Sequence, residues 1–154
     1  MESTKLRSKP CTENQFALEI ADLLCLSFKR LTGKPLLASG TDLGQRLYEA
    51  PFAVLAHDTQ PDPIFFYANL AAQKVFEITW DEIVTLPSRV SAEAPNQAER
   101  ARLLEEVKRN RFISNYSGVR ISKTGRRFLV QNATVWNLTN ANGIYCGQAA
   151  TFAV

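Results

Sequence analysis

The stretch from Ile113 to the C-terminus most constrains what this chain can become. Three runs rich in β-branched and aromatic residues, 114–122, 126–138 and 144–153, are separated only by Lys123-Thr124-Gly125 and Asn140-Ala141-Asn142-Gly143. Breaks this short join antiparallel neighbours, because a parallel crossover needs a dozen residues or more. The three runs therefore predict a meander. Upstream, Phe52–His57 and Ile64–Tyr67 flank the turn Thr59-Gln60-Pro61-Asp62-Pro63 and read as a hairpin. The segment between hairpin and meander is helical in pattern. The fold class is thus α+β: a five-stranded antiparallel sheet with a helical segment on one face.

Helical periodicity is clearest near the N-terminus. Thr12-Glu13-Asn14-Gln15 has the form of a capping box, and Phe16, Ile20, Leu23, Leu24, Phe28 and Leu31 follow at helical spacing. Lys29 and Arg30 suit the last turn, and Gly33 and Pro35 stop a helix spanning 13–32. A short helix fits 41–49. Asn69 can cap a helix over 70–76, and Thr79-Trp80-Asp81-Glu82 is a second capping box that opens a turn ending before Pro87. After a loop at 87–95, residues 97–110 carry an apolar stripe at Ala101, Leu103, Leu104 and Val107. Residues 1–50 read as an N-terminal helical extension with a loose tail at 1–11, and 51–154 as the main domain.

Composition narrows the function classes. At 154 residues, 45% hydrophobic and 21% charged, the chain is long and apolar enough for a core without disulfides or metal. No apolar run approaches a membrane span, and Met1–Pro10 lacks a secretory apolar region. Cys11, Cys25 and Cys146 are an odd number at wide spacings, which fits reduced thiols and a cytoplasmic setting. A net charge of +3 is too mild to predict nucleic-acid binding. Glu99, Glu105 and Glu106 interleave with Arg100, Arg102, Lys108, Arg109 and Arg111, a pattern of solvated ion pairs. One histidine and three dispersed cysteines match no metal-ligand spacing. His57-Asp58 reads as a strand end and a turn former rather than an acid–base pair, because adjacent strand residues point to opposite faces.

Phe65-Phe66-Tyr67-Ala68-Asn69, Ala71-Ala72, Phe76 and Trp80-Asp81-Glu82-Ile83 together resemble the Asn-centred stretch of PAS domains. Ser122-Lys123-Thr124-Gly125-Arg126-Arg127-Phe128 resembles one of their hairpins. Four further stretches are similar to the MEKHLA family, a PAS-related group: Leu86–Arg89, Tyr116–Ser122, Ala133–Asn137 and Cys146–Phe152. The resemblance implies a PAS-like sensor or interaction module over 51–154 and no reaction. The chain lacks the cysteine motif of flavin-adduct PAS domains, and its single histidine is not on the long helix where haem-type members hold theirs. No cofactor is expected.

A three-residue hairpin with Gly125 in a left-handed conformation sets a register for the meander. That register puts Arg120, Ser122, Val130, Asn132, Thr134 and Trp136 on one face. Ile121, Leu129, Gln131, Ala133 and Val135 take the other. The resemblance implies that the first set faces the helices, where PAS ligands sit. Candidate pocket residues are therefore Arg120, Val130, Asn132, Thr134 and Trp136. They are joined by Tyr67, Asn69, Phe76, Trp80 and Leu104 from the helical side, and by Tyr145 and Ala149 from the last strand. A buried Arg120 needs an anion: a small acidic ligand, or an internal carboxylate such as Glu77 or Glu82.

The outer face is also apolar and needs a cover. The helix carrying Phe16, Ile20, Leu24, Phe28 and Leu31 supplies it over Leu129, Gln131, Ala133 and Val135, within one chain or in a homodimer. The expected function is a sensory module that binds a small, acidic ligand or a partner protein. The chain ends directly after the last strand, so the expected output is association. The rival readings are an enzyme on the same scaffold and an interaction module with a filled core.

Overall fold

A computed structural model describes residues 8–92 and 94–154, with side chains at 94–97 outside the description. A 3₁₀ turn at Thr12–Asn14 precedes α1 (Leu18–Thr32) and α2 (Leu43–Tyr48). The sheet is built from β1 (Phe52–His57), β2 (Phe65–Ala68), β3 (Phe112–Ile121), β4 (Arg127–Thr139) and β5 (Tyr145–Ala153). Between β2 and β3 lie α3 (Leu70–Phe76), α4 (Trp80–Ile83), a 3₁₀ turn at Ser88–Ser91, and α5 (Ala94–Asn110). All strand pairs are antiparallel, in the order β2-β1-β5-β4-β3. The expected five-stranded α+β architecture is what the chain adopts. Of the loose tail read at 1–11, residues 1–7 lie outside the described residues, and Pro10 is buried.

The long helix starts five residues later than its periodicity suggests. Asn14 Oδ1 accepts from the backbone N–H groups of Cys11 and Ala17, both at 3.0 Å, so Asn14 rather than Thr12 organises the start. Gln15, Phe16 and Ala17 then run through left-handed φ values of 54–57°. α5 starts three residues earlier than read, at Ala94. Pro95 is tolerated because its missing N–H falls in the unbonded first turn.

Asn69 ties the front of the sheet to the helices. Its Oδ1 accepts from Val54 N at 2.9 Å and Ala72 N at 3.1 Å. Its Nδ2 donates to Leu47 O at 3.0 Å and Phe52 O at 2.9 Å. Thr79 and Glu82 form the reciprocal capping box, at 3.3 and 3.1 Å.

Two of the four register shifts in the sheet decide which of the candidate residues face which way. In β4, Gly118 pairs with Val130 but Tyr116 pairs with Ala133, and Asn132 takes a φ of 53°. The extra residue moves every later side chain to the opposite face. Asn132 is exposed, and Thr134 and Trp136 do not share Arg120's face. Ala133 and Val135 turn toward α5 instead of outward, and Val135 packs with Leu103 and Val107. In the β1–β2 pair, Ala56 faces Tyr67 while His57 faces Phe65, so Phe66 is the extra residue. Tyr67 consequently lies on the side of α1 and α2, its ring 5.8 Å from that of Trp80, which in turn meets Tyr48 at 6.3 Å.

α1 covers the outer face within the chain. Leu24 is fully buried, and Phe16, Ile20, Phe28 and Leu31 pack on the same core. Phe28 meets Trp136 edge-on at 4.9 Å. Ser27 Oγ donates to Thr139 O and accepts from Thr139 N, both at 3.1 Å. The apolar stripe read for this helix is thus occupied by its own sheet, while Leu129, at 58% exposure, lies in water. Among the described residues no helix is long and apolar enough to cross a membrane.

Candidate functional site

The inner face of the sheet and the helices above it border a half-open pocket of about 80 Å³. Leu55, Phe65, Leu103, Leu104, Val135 and Ala150 make its apolar wall. Its polar lining is His57, Ser88, Ser91, Arg100, Arg120 and Gln148. His57, Arg100, Leu104 and Gln148 also line an open groove of about 800 Å³ between α5 and the ends of β1, β4 and β5. The groove carries Arg30, Lys108 and Arg111 against Asp58 and Glu105. The pocket therefore has an entrance on the charged side of the molecule.

Register positions each polar group. His57 pairs with Gln148 across β1 and β5, and Gln148 with Asn137 across β4, so all three share the inner face. Gln148 is 4% exposed. Its Nε2 donates to Asn137 Oδ1 at 3.0 Å, and its Oε1 has no hydrogen-bond partner. His57 Nδ1 lies 3.0 Å from the Asp58 carbonyl oxygen. Asp58 itself is occupied by the turn, accepting from Gln60 N, Gln60 Nε2 and Ile64 N at 3.2, 2.6 and 2.9 Å.

Two guanidinium groups meet here. Arg120 donates to Val119 O and to the Tyr116 hydroxyl, both at 3.0 Å, and its charge sits 5.4 Å from the Tyr116 ring centre. Arg100 donates to Ser88 Oγ. Neither takes part in an ion pair among the described residues, where the pairs are Arg89–Asp62, Arg102–Glu99, Lys123–Glu82 and Arg126–Glu77. The internal carboxylates considered for Arg120 are thus engaged elsewhere. Glu77 accepts from Ser122 and Thr124, and Glu82 holds Lys123. Burial lowers the Arg100 pKa, and the nearby Arg120 charge lowers it further. Burial likewise pushes the His57 pKa below its ordinary value; the Asp58 carbonyl opposes this, and Arg100 adds to it.

Of the candidate pocket residues, Leu104, Arg120 and Ala149 line the pocket and Tyr145 lines the groove. Ala149 pairs with Trp136 in register, so its side chain belongs to the opposite face. Val130 and Phe76 sit on the inner side but fill the core, Phe76 against Phe128 at 5.0 Å. Tyr67, Trp80, Thr134 and Trp136 lie away from the pocket, Asn69 is spent on the backbone, and Asn132 faces water. Arg100, His57 and Gln148 were not among the candidates. Arg100 precedes Leu103 and Val107 by three and seven positions, a spacing that places it on the buried stripe of α5.

Among the described residues no group of three or more His, Cys, Asp or Glu side chains could hold a metal ion. All three cysteines are free and part-buried. Burial, with Asp22 second, raises the Cys25 pKa to about 11, which disfavours a reactive thiolate. At the β3–β4 tip, Lys123 pairs with Glu82 and Arg126 with Glu77.

Similar folds occur among solved structures. The PAS domain of a protein from Colwellia psychrerythraea superposes with a TM-score of 0.58 at 11% identity, over 71% of this chain and 92% of that one. The blue-light photoreceptor Vivid, in its photo-excited form, gives 0.60 at 16% identity, over 88% and 94% of the two chains. A PAS domain from a two-component sensor histidine kinase gives 0.56 at 17% identity, over 70% and 87%. No curated protein matches the chain. At these identities the likeness establishes the fold. The sequence pattern of the MEKHLA domain matches residues 18–154, spanning α1 and the whole sheet. The helix that covers the outer face thus lies within the matched residues, and the chain belongs to the MEKHLA family, with the fold of a PAS domain.

Proposed function

We propose that the protein is a sensory module whose inner pocket holds a small carboxylic acid. The observation that carries this reading is the convergence of Arg100 and Arg120 on one pocket without an ion-pair partner among the described residues. Two part-buried like charges are unfavourable beside each other, and an anion between them relieves both the repulsion and the desolvation. The apolar wall supplies shape, and the charged groove supplies entry. Family membership and the sensor proteins among the fold neighbours support a sensory role. The pocket speaks against an interaction module with a filled core. Among the described residues, the hydroxyls of the lining, Ser88 and Ser91, are bonded to Arg100 and to a carbonyl oxygen rather than to a base, which favours binding over turnover. Ligand state would be read out as a change in association with a second copy or a partner protein.

Native mass spectrometry of the purified chain tests the reading. The expected result is a bound acid of low mass on the wild type that is absent from Arg120→Ala. Retention of the same acid by Arg120→Ala contradicts the role of Arg120. Loss of the bound acid from a variant that still unfolds cooperatively separates ligand binding from folding.

A further inference from the structure

Donors and acceptors in the pocket can be counted, and the count restricts the acid further. This step rests on the small-acid reading above. The arginines offer N–H donors only. Of the other four polar groups, Ser88 Oγ accepts from Arg100 and Ser91 Oγ donates to the Ser88 carbonyl oxygen, while His57 and Gln148 offer acceptors whose orientation is fixed by hydrogen bonds.

Asn137 Nδ2 donates to the Val107 carbonyl oxygen at 3.4 Å, so its Oδ1 is the atom turned to Gln148. An amide oxygen only accepts, so the atom of Gln148 that meets it at 3.0 Å is Nε2. The Oε1 of Gln148 is then left as a buried acceptor with nothing donating to it. The same logic applies to His57. Its Nδ1 faces a carbonyl oxygen at 3.0 Å and must carry the proton, which leaves Nε2 with a lone pair. Burial and the Arg100 charge keep this imidazole neutral.

A bare carboxylate satisfies the two guanidinium groups and leaves Gln148 Oε1 unpaired. We infer that the pocket selects a hydroxy acid: a small carboxylic acid with a hydroxyl that donates to Gln148 Oε1. An ammonium would also donate, but it would sit beside two arginines, so an amino acid is disfavoured. A pocket of about 80 Å³ suits an acid of roughly five to eight heavy atoms. The matched hydroxyl is worth on the order of tenfold in affinity, because the alternative is an unsatisfied buried acceptor.

Isothermal titration calorimetry of the full chain with acetate and glycolate distinguishes the two levels of the argument. The wild type is expected to bind glycolate about tenfold more tightly than acetate. Gln148→Met, which keeps the volume and removes the amide acceptor, is expected to bring the two affinities together. Equal affinities in the wild type, or a preference that survives in a folded Gln148→Met, overturn the hydroxy-acid inference and leave the small-acid reading standing. Failure of the wild type to bind either acid overturns both. If Gln148→Met does not fold, the wild-type comparison still decides.

Discussion

A methyl group on Gly147 would lie 2.1 Å from the His57 carbonyl oxygen, and the residue's φ of +135° is one that side chains rarely adopt. Glycine here lets β5 approach β1 closely enough to set Gln148 opposite His57. Gly147→Ala is expected to cost about 2–4 kcal/mol, read as a lower denaturation midpoint with unchanged slope. Asn69→Ala removes four hydrogen bonds, three of them buried, and leaves their backbone partners bare, so a loss of about 3–5 kcal/mol is expected by the same measurement. His57 carries the clearest pH signature. Its folded pKa lies below 6.5, so the unfolded chain takes up a proton first as pH falls. Its stabilising effect is complete above pH 6.5 and is lost progressively below it, toward the folded pKa. Glu82 and Glu77, held low by Lys123 and by Ser122 respectively, act only in the carboxylate range near and below 4.5. His57→Gln is therefore expected to flatten the fall in melting temperature between pH 7 and pH 5. An unchanged slope would show that the imidazole is not held neutral by the fold.

At the scale of elements, the chain announces its sheet and conceals its bulges. Gly125, at φ 92°, closes the β3–β4 hairpin in the three-residue form its sequence demands, so Arg120 and Val130 share a face as the register requires. Six residues after Gly125, the alternation breaks at Gln131-Asn132, two polar residues in succession. Asparagine tolerates the left-handed conformation that a bulge requires, but nothing local says which of two adjacent polar residues will take it. That single position exchanged Thr134 and Trp136 for Ala133 and Val135 in the pocket face. The start of α1 was hidden for a similar reason: an Asn side chain outcompeted the Thr12 cap. Arg100 was obscured by its charged neighbours, although its spacing to Leu103 and Val107 marks the buried stripe. The cover supplied by α1 has a direct test. Removing residues 1–35 uncovers Trp136 and Leu138, both fully buried. The truncated chain is expected to aggregate or bind a hydrophobic dye. A soluble, cooperatively folding truncated chain would show that the outer face needs no cover.

For the whole molecule, the two faces of one sheet divide the work. The outer face is sealed by α1 through Phe28, Ser27 and Leu24, and the inner face keeps a pocket bordered by two guanidinium groups that have no ion-pair partner among the described residues. β4 and β5 contribute to both, because their adjacent residues Val135 and Trp136, Gln148 and Ala149, take opposite faces. The central claim is that a small acid occupies the inner pocket. A titration of the ¹⁵N-labelled chain with glycolate, followed by amide chemical shifts, tests it most directly. Saturable shifts confined to His57, Arg100, Arg120, Gln148 and their sheet neighbours, and abolished by Arg120→Ala, are the predicted result. Shifts absent, or spread over the exposed lysines and arginines without saturating, would contradict it.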